Sequence, residues 1–153
     1  MKLESYRAYL TATKIPLRLA CTDRAGWPSI VSLWYLYQDG ALYCATQADA
    51  KITTYLSQHP RCGYEIAGDE PPYCGIRGRA SATILPAKGE TILLQLLDRY
   101  VGGTDNALAK ALLARRDSEV ALRLVPESVH SWNYSDRMRT SVSTPLDGLK
   151  PCP

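Results

Sequence analysis

Thr46 and Lys51 are the two side chains whose types and spacing best suit a defined chemistry, the holding of an anion. They lie in the stretch 42–56, LYCATQADAKITTYL. It begins as an apolar strand, loses its hydrophobic pattern at Thr46, crosses a polar turn and restarts as a helix at Lys51. A helix start presents free N–H groups and a partial positive charge. A phosphate monoester carries about −1.5 to −2 charges and several strong acceptor oxygens. Such a group fits a helix N-terminus, with the Thr46 hydroxyl and the Lys51 ammonium beside it. The same spacing also fits a surface lysine and a strand-end threonine.

Other side chains invite similar questions. Trp34, Tyr35 and Tyr37 lie on the strand before this turn. Alternation puts Trp34 on the opposite face from the two tyrosines, where they serve as core, interface or cofactor wall. Arg77 and Arg79 flank Gly78 and point to one face, where two guanidinium groups require water or anions. Trp132, with Asn133 and Tyr134 beside it, suits a polar-tipped surface site.

Hydrolytic chemistry has little support. Neither histidine, His59 or His130, has a serine or cysteine in a recognisable frame, and Asp69 and Glu70 sit in a proline-containing loop. Five cysteines without a CxxC pair argue against a metal centre, so no metal is expected. Cys21, Cys44 and Cys62 read as small core residues of strands, and Cys152 as an exposed residue of the tail. A site without acid–base groups suits an enzyme whose cofactor carries the reaction.

The elements that must position these residues follow from periodicity. Leu3, Tyr6 and Leu10 recur at helical spacing, in a short helix that ends before Pro16. Residues 17–23 form a strand with Leu17, Leu19 and Cys21 on one face. The run 29–37, SIVSLWYLY, reads as one strand buried on both faces. The turn QDG at 38–40 joins it to the strand 41–46. A short helix covers Lys51–His59, with Asp49 as its N-cap. Strands are predicted at 61–67 and 74–85. From Lys88 the period becomes helical, through Ile92, Leu93, Leu96, Leu97 and Tyr100 to Gly102 and Gly103. A second helix covers 105–115. The strand 119–125 precedes Pro126, and a separate extended segment covers 128–135. The remainder has no period and reads as an arm.

The 153 residues suit one domain with a real core. Hydrophobic residues at 46% and charged residues at 22% exclude disorder as a class. Eighteen basic against fifteen acidic side chains give +3, too slight for a nucleic-acid surface. No apolar run is long enough to span a bilayer, and MKLESYRAYL has charges where a secretion signal has its apolar core. The expectation is a cytoplasmic protein with no nucleic-acid or membrane partner. Six or seven strands with short turns and inserted helices close into a sandwich or barrel.

The order IPLRLACTDRAGWPSIVSLWYLY, DGALYCATQADAKITTYLSQHPRCGYEI and PPYCGIRGRASATI resembles the pyridoxamine 5′-phosphate oxidase-like split-barrel flavoproteins. That family also includes deazaflavin-dependent reductases and haem-degrading relatives. The likeness covers about residues 15–85 well and 117–135, EVALRLVPESVHSWNYS, more loosely. It implies a mainly β fold, a six-stranded split β-barrel with peripheral helices. The domain would span 1–153, with a helical insert at about 88–115 and a C-terminal arm from about 136.

The resemblance further implies a homodimeric flavoprotein, an oxidoreductase acting on a small-molecule substrate, with one FMN per subunit at the dimer interface. By position, Ser32, Leu33 and Trp34 match the strand whose backbone meets the flavin ring. Ala45 and Thr46 match the strand end near the ribityl phosphate, and Lys51 a phosphate-binding lysine. Tyr73 and Arg77 fall where the neighbouring subunit reaches the flavin, and Trp132 matches a late tryptophan near the cofactor. Vitamin B6 oxidases themselves have arginine where this chain has Ala50, a loop one residue longer and a terminal R-L-x-P, where this chain has GLKPCP. Those departures keep F420 open as the alternative cofactor. The lack of acid–base residues around Thr46 and Lys51 keeps open, as the alternative function, a non-catalytic dimeric module that binds flavin, haem or nothing.

Overall fold

The structure, a computed structural model, describes residues 3–139. Helix α1 (Leu3–Ala12) leads into β1 (Leu17–Thr22), β2 (Pro28–Leu33), β3 (Leu36–Gln38) and β4 (Ala41–Gln47). Helix α2 (Lys51–Gln58), β5 (Arg61–Ala67) and β6 (Cys74–Leu85) follow. Then come α3 (Gly89–Val101), α4 (Ala107–Leu113), β7 (Glu119–Asn133) and α5 (Ser135–Arg139). The strands form one antiparallel sheet in the order β2-β1-β5-β6-β7-β4-β3. It is mainly β and does not close, since β2 and β3 are its two edges.

Three expectations need correction. The run 29–37 is not one doubly buried strand. It breaks at Trp34 and Tyr35 into β2 and β3, which brings the strand count to seven, not the six of the resemblance. Tyr35 leaves the ladder because its partners lie elsewhere. Its N–H donates to the Tyr100 hydroxyl at 3.3 Å, and its own hydroxyl donates to the carbonyls of Leu10 and Thr13 at 3.0 and 3.1 Å. β2 is at most half buried, with Ile30 exposed.

Pro126 does not end a strand. β7 runs through it, because the ladder with β6 shifts register there: Arg79 faces Ser128 and Ala80 faces Pro126, which leaves Glu127 as the extra residue. A bulge tolerates a residue that cannot donate. Lastly, the N-cap of α2 is Ala50, without a side-chain bond, rather than Asp49. The expected arm is helical at 135–139. Its remainder, with the expected exposure of Cys152, lies outside the described residues.

The sheet curls around a core to which alternate strand residues contribute. Leu17, Leu19, Leu42, Cys44, Ile66, Ile76, Leu122 and Leu124 meet Leu10 of α1 and Ile52 and Leu56 of α2 there. Each such aliphatic side chain contributes about 1.5–3 kcal/mol by leaving water. On the other face of β4 and β7, α3 lays down Ile92 and Leu96 against Leu36, Tyr43 and Ala121. The β3–β4 hairpin turns on Asp39 and Gly40, both at positive φ (50° and 77°), the pattern of a two-residue turn matched to strand twist. α3 ends on Gly102 in the left-handed region, φ 75°.

Candidate functional site

The β4–α2 turn carries the kinds of group that an anion cradle needs. β4 carries Thr46 to its end, where Thr46 faces Val120 of β7. The chain then turns through Gln47, whose carbonyl accepts from the backbone of Ala50 at 3.1 Å and from the Thr53 hydroxyl at 3.0 Å. Because Ala50 offers no side-chain oxygen, the first turn of α2 has no side-chain acceptor. No acidic residue occupies that turn, and Lys51 is exposed there. The adjacent Asp49 faces the Arg115 guanidinium at 4.0 Å. Uncapped N–H groups, a hydroxyl and an ammonium together fit a phosphate.

A polar brace behind the turn was not legible in the sequence. The Gln47 amide donates to the Glu119 carboxylate and its oxygen accepts from the Ser118 hydroxyl. Burial raises the Glu119 carboxyl above its ordinary value, against lowering by Gln47 and Arg115. Its second oxygen, Oε2, is buried without a partner. Gln47 and Glu119 meet only because β4 pairs with β7, so no local pattern could have revealed them.

The expected site residues fall into separate places. Thr46 and Lys51 lie at the cradle. Ala45 packs toward the helical insert, together with Trp34, whose ring stacks on Tyr100 at 5.0 Å and 8° between planes. The Trp34 side chain is therefore a wedge under α3. Leu33 packs against the core. Ser32 faces Arg18 of β1 on the outer side of the sheet.

Arg77 and Trp132 come together at the far end of β6 and β7, with the guanidinium 5.5 Å from the ring centroid. Tyr73, exposed, accepts at its carbonyl from the backbone of Tyr134 at 3.0 Å. The Trp132 ring packs where Gly75 has no side chain: a Cβ there would lie 2.9 Å from the ring. Val120 and Trp132 lie near opposite ends of β7, about 40 Å apart along the strand contour at ~3.3 Å per residue.

Cys21, Cys44 and Cys62 are buried free thiols. Burial raises all three, Cys62 to about 12, which removes them as nucleophiles near neutral pH. Among the described residues no three His, Cys, Asp or Glu side chains gather as for a metal ion, and no helix is long and apolar enough to cross a membrane.

This architecture is the pyridoxamine 5′-phosphate oxidase-like split-barrel fold. A conserved hypothetical protein from Mycobacterium tuberculosis shares it at TM-score 0.75 and 19% identity, over 99% of this chain and 93% of that one. An F420 reductase superposes at TM-score 0.68 with 18% identity, over 79% of this chain and 93% of its own. A candidate pyridoxamine 5′-phosphate oxidase from Listeria innocua gives 0.65 and 17%, over 84% and 95%. No family model matches the chain, and no curated protein matches its sequence.

Proposed function

We propose that this protein is a homodimeric FMN-binding oxidoreductase acting on a small molecule. The observation that carries this is the uncapped N-terminus of α2, behind Thr46 and beside Lys51, in a fold shared with an F420 reductase and a candidate pyridoxamine 5′-phosphate oxidase. Lys51, Thr46 and the first N–H groups of α2 hold the flavin phosphate, with Ala45 beside them. The backbone of Ser32, Leu33 and Trp34 meets the ring edge. Tyr73, Arg77 and Trp132, at the other end of β6 and β7, serve the flavin site of a second copy. Bound flavin supplies hydride or electron transfer. The residues bind it, orient it and exclude water.

F420 is the second reading. The fold of an F420 reductase and the alanine at position 50 favour it, because Ala50 adds no charge to the phosphate grip. Titration of the purified protein with FMN and with F420, followed by cofactor fluorescence, separates the two. Saturation by FMN at one per chain is expected. Saturation by F420 alone reverses the assignment, and saturation by neither removes both.

A further inference from the structure

The outer face of the sheet has a second feature that the cradle does not use. Pairing aligns Ser32, Arg18, Glu65, Arg77 and His130 in one row across β2, β1, β5, β6 and β7. The next row is Ile30, Ala20, Gly63, Arg79 and Ser128. At its centre stand only a methyl group and a hydrogen, from Ala20 and Gly63. The result is a depression of about 400 Å³. Ile30, 68% exposed, is its apolar wall, and Arg77 and Arg79 line the opposite side.

The charges around it are unequally matched. Arg18 is engaged by the Asp69 carboxylate at 2.7 Å and the Ala67 carbonyl at 3.0 Å, with Glu65 at 3.9 Å. Arg77 and Arg79 have no carboxylate within 4.0 Å among the described residues. Arg77 has the Trp132 ring instead. Two arginines on alternate positions of one strand stand about 7 Å apart at the backbone, and each guanidinium matches a carboxylate or phosphate in plane. A flat floor of small residues and an apolar wall suit a planar ring.

We propose that the saddle over Ala20 and Gly63 binds a flat aryl compound bearing a carboxylate or phosphate, its charge on Arg79 and Arg77 and its ring against Ile30. As a binding site this stands without the flavin. As the substrate site of the oxidoreductase it rests on the flavin reading, through Arg77, which is common to both.

The test is calorimetric titration of the full chain, as purified, with 2-naphthoate, 2-naphthyl phosphate and the neutral 2-naphthol. Saturable binding of at least one anion is expected, with 2-naphthol weaker by at least about tenfold. Naphthoate alone identifies a carboxylate ligand and naphthyl phosphate alone a phosphate ligand. Arg79→Ala should weaken the anion by about tenfold or more. Gly63→Val should abolish binding and Gly63→Ala weaken it, and the alanine variant should melt as before, because a Cβ at Gly63 meets nothing nearer than 3.8 Å. Added to Lys51→Ala, which removes the cradle's own phosphate contact, Arg79→Ala should weaken the anion by the same factor. Absence of binding by both anions, equal binding of 2-naphthol, undiminished binding by Gly63→Val, or no loss on adding Arg79→Ala to Lys51→Ala would overturn the proposal.

Discussion

Arg77 lies across the ring of Trp132, its guanidinium carbon 5.5 Å from the ring centroid. The pair sits at the end of β7 remote from Thr46, which faces Val120 near the start of the same strand. One strand thus carries both halves of the proposed cofactor site at opposite ends. In the proposed homodimer, a second copy of the chain would bring the two halves together.

Lys51→Ala is expected to weaken FMN binding. Losing one charge-assisted contact costs on the order of 1.5–3 kcal/mol, or roughly 10- to 100-fold in Kd. Fluorescence titration reads it directly, and an unchanged Kd would exclude Lys51 from the site. The variant should melt like the parent, since Lys51 is exposed and has no ion pair among the described residues.

Trp34→Ala should destabilise the protein by roughly 3 kcal/mol, the lower end for truncating a packed tryptophan. The ring is stacked on Tyr100 and packed between Ala45 and α3. Hydrogen exchange should speed up first in α3. Protection in α3 equal to the parent's would contradict its role as a wedge.

Gly78→Ala should cost about 3 kcal/mol or more, at the upper end for overpacking. A Cβ there would lie 2.1 Å from the Ser128 carbonyl oxygen and 2.7 Å from the Tyr64 ring, and the first of these is backbone. Gly63→Ala on the neighbouring strand makes only ordinary contacts, at 3.8 Å and 3.9 Å, and should be neutral or stabilising, within about 1 kcal/mol. Denaturant unfolding of the two variants checks the contrast; equal stabilities would refute the close approach.

Glu119 should make stability depend on pH. Its folded carboxyl is raised above the ordinary value, chiefly by burial, so the fold favours the protonated form. That contribution is fully present below the ordinary carboxylate value and is lost as pH rises through the folded value. Glu119→Gln has no such loss. Its melting temperature, measured against the parent's, should gain with rising pH across that window. A constant difference from acid to neutral pH would contradict the buried, partnerless Oε2.

Much of the fold was readable because local chemistry and tertiary outcome agree. The alternation of Leu17, Leu19 and Cys21 gave the buried face of β1, and the glycines at 102 and 103 gave the end of α3. The break at Trp34 and Tyr35 was hidden because aromatic, strand-prone residues were recruited by partners at Leu10, Thr13 and Tyr100, distant in sequence. Pro126 misled for a similar reason, since its tolerance depends on a bulge defined by β6. Of the candidate site, the Thr46–Lys51 turn was visible locally. Its Gln47–Glu119 brace, and the saddle over Gly63, exist only through strand register.

The most direct measurement concerns the two-copy site. Lys51→Ala and Trp132→Ala subunits are prepared separately, denatured, mixed in equal amounts and refolded together. Each variant alone should lack tight FMN sites. The mixture should regain tight binding at about a quarter of its sites, because half of randomly assorted dimers are mixed and each has one site with neither substitution. No recovery on mixing, or unimpaired FMN binding by Trp132→Ala alone, would contradict a flavin held between two copies of this chain.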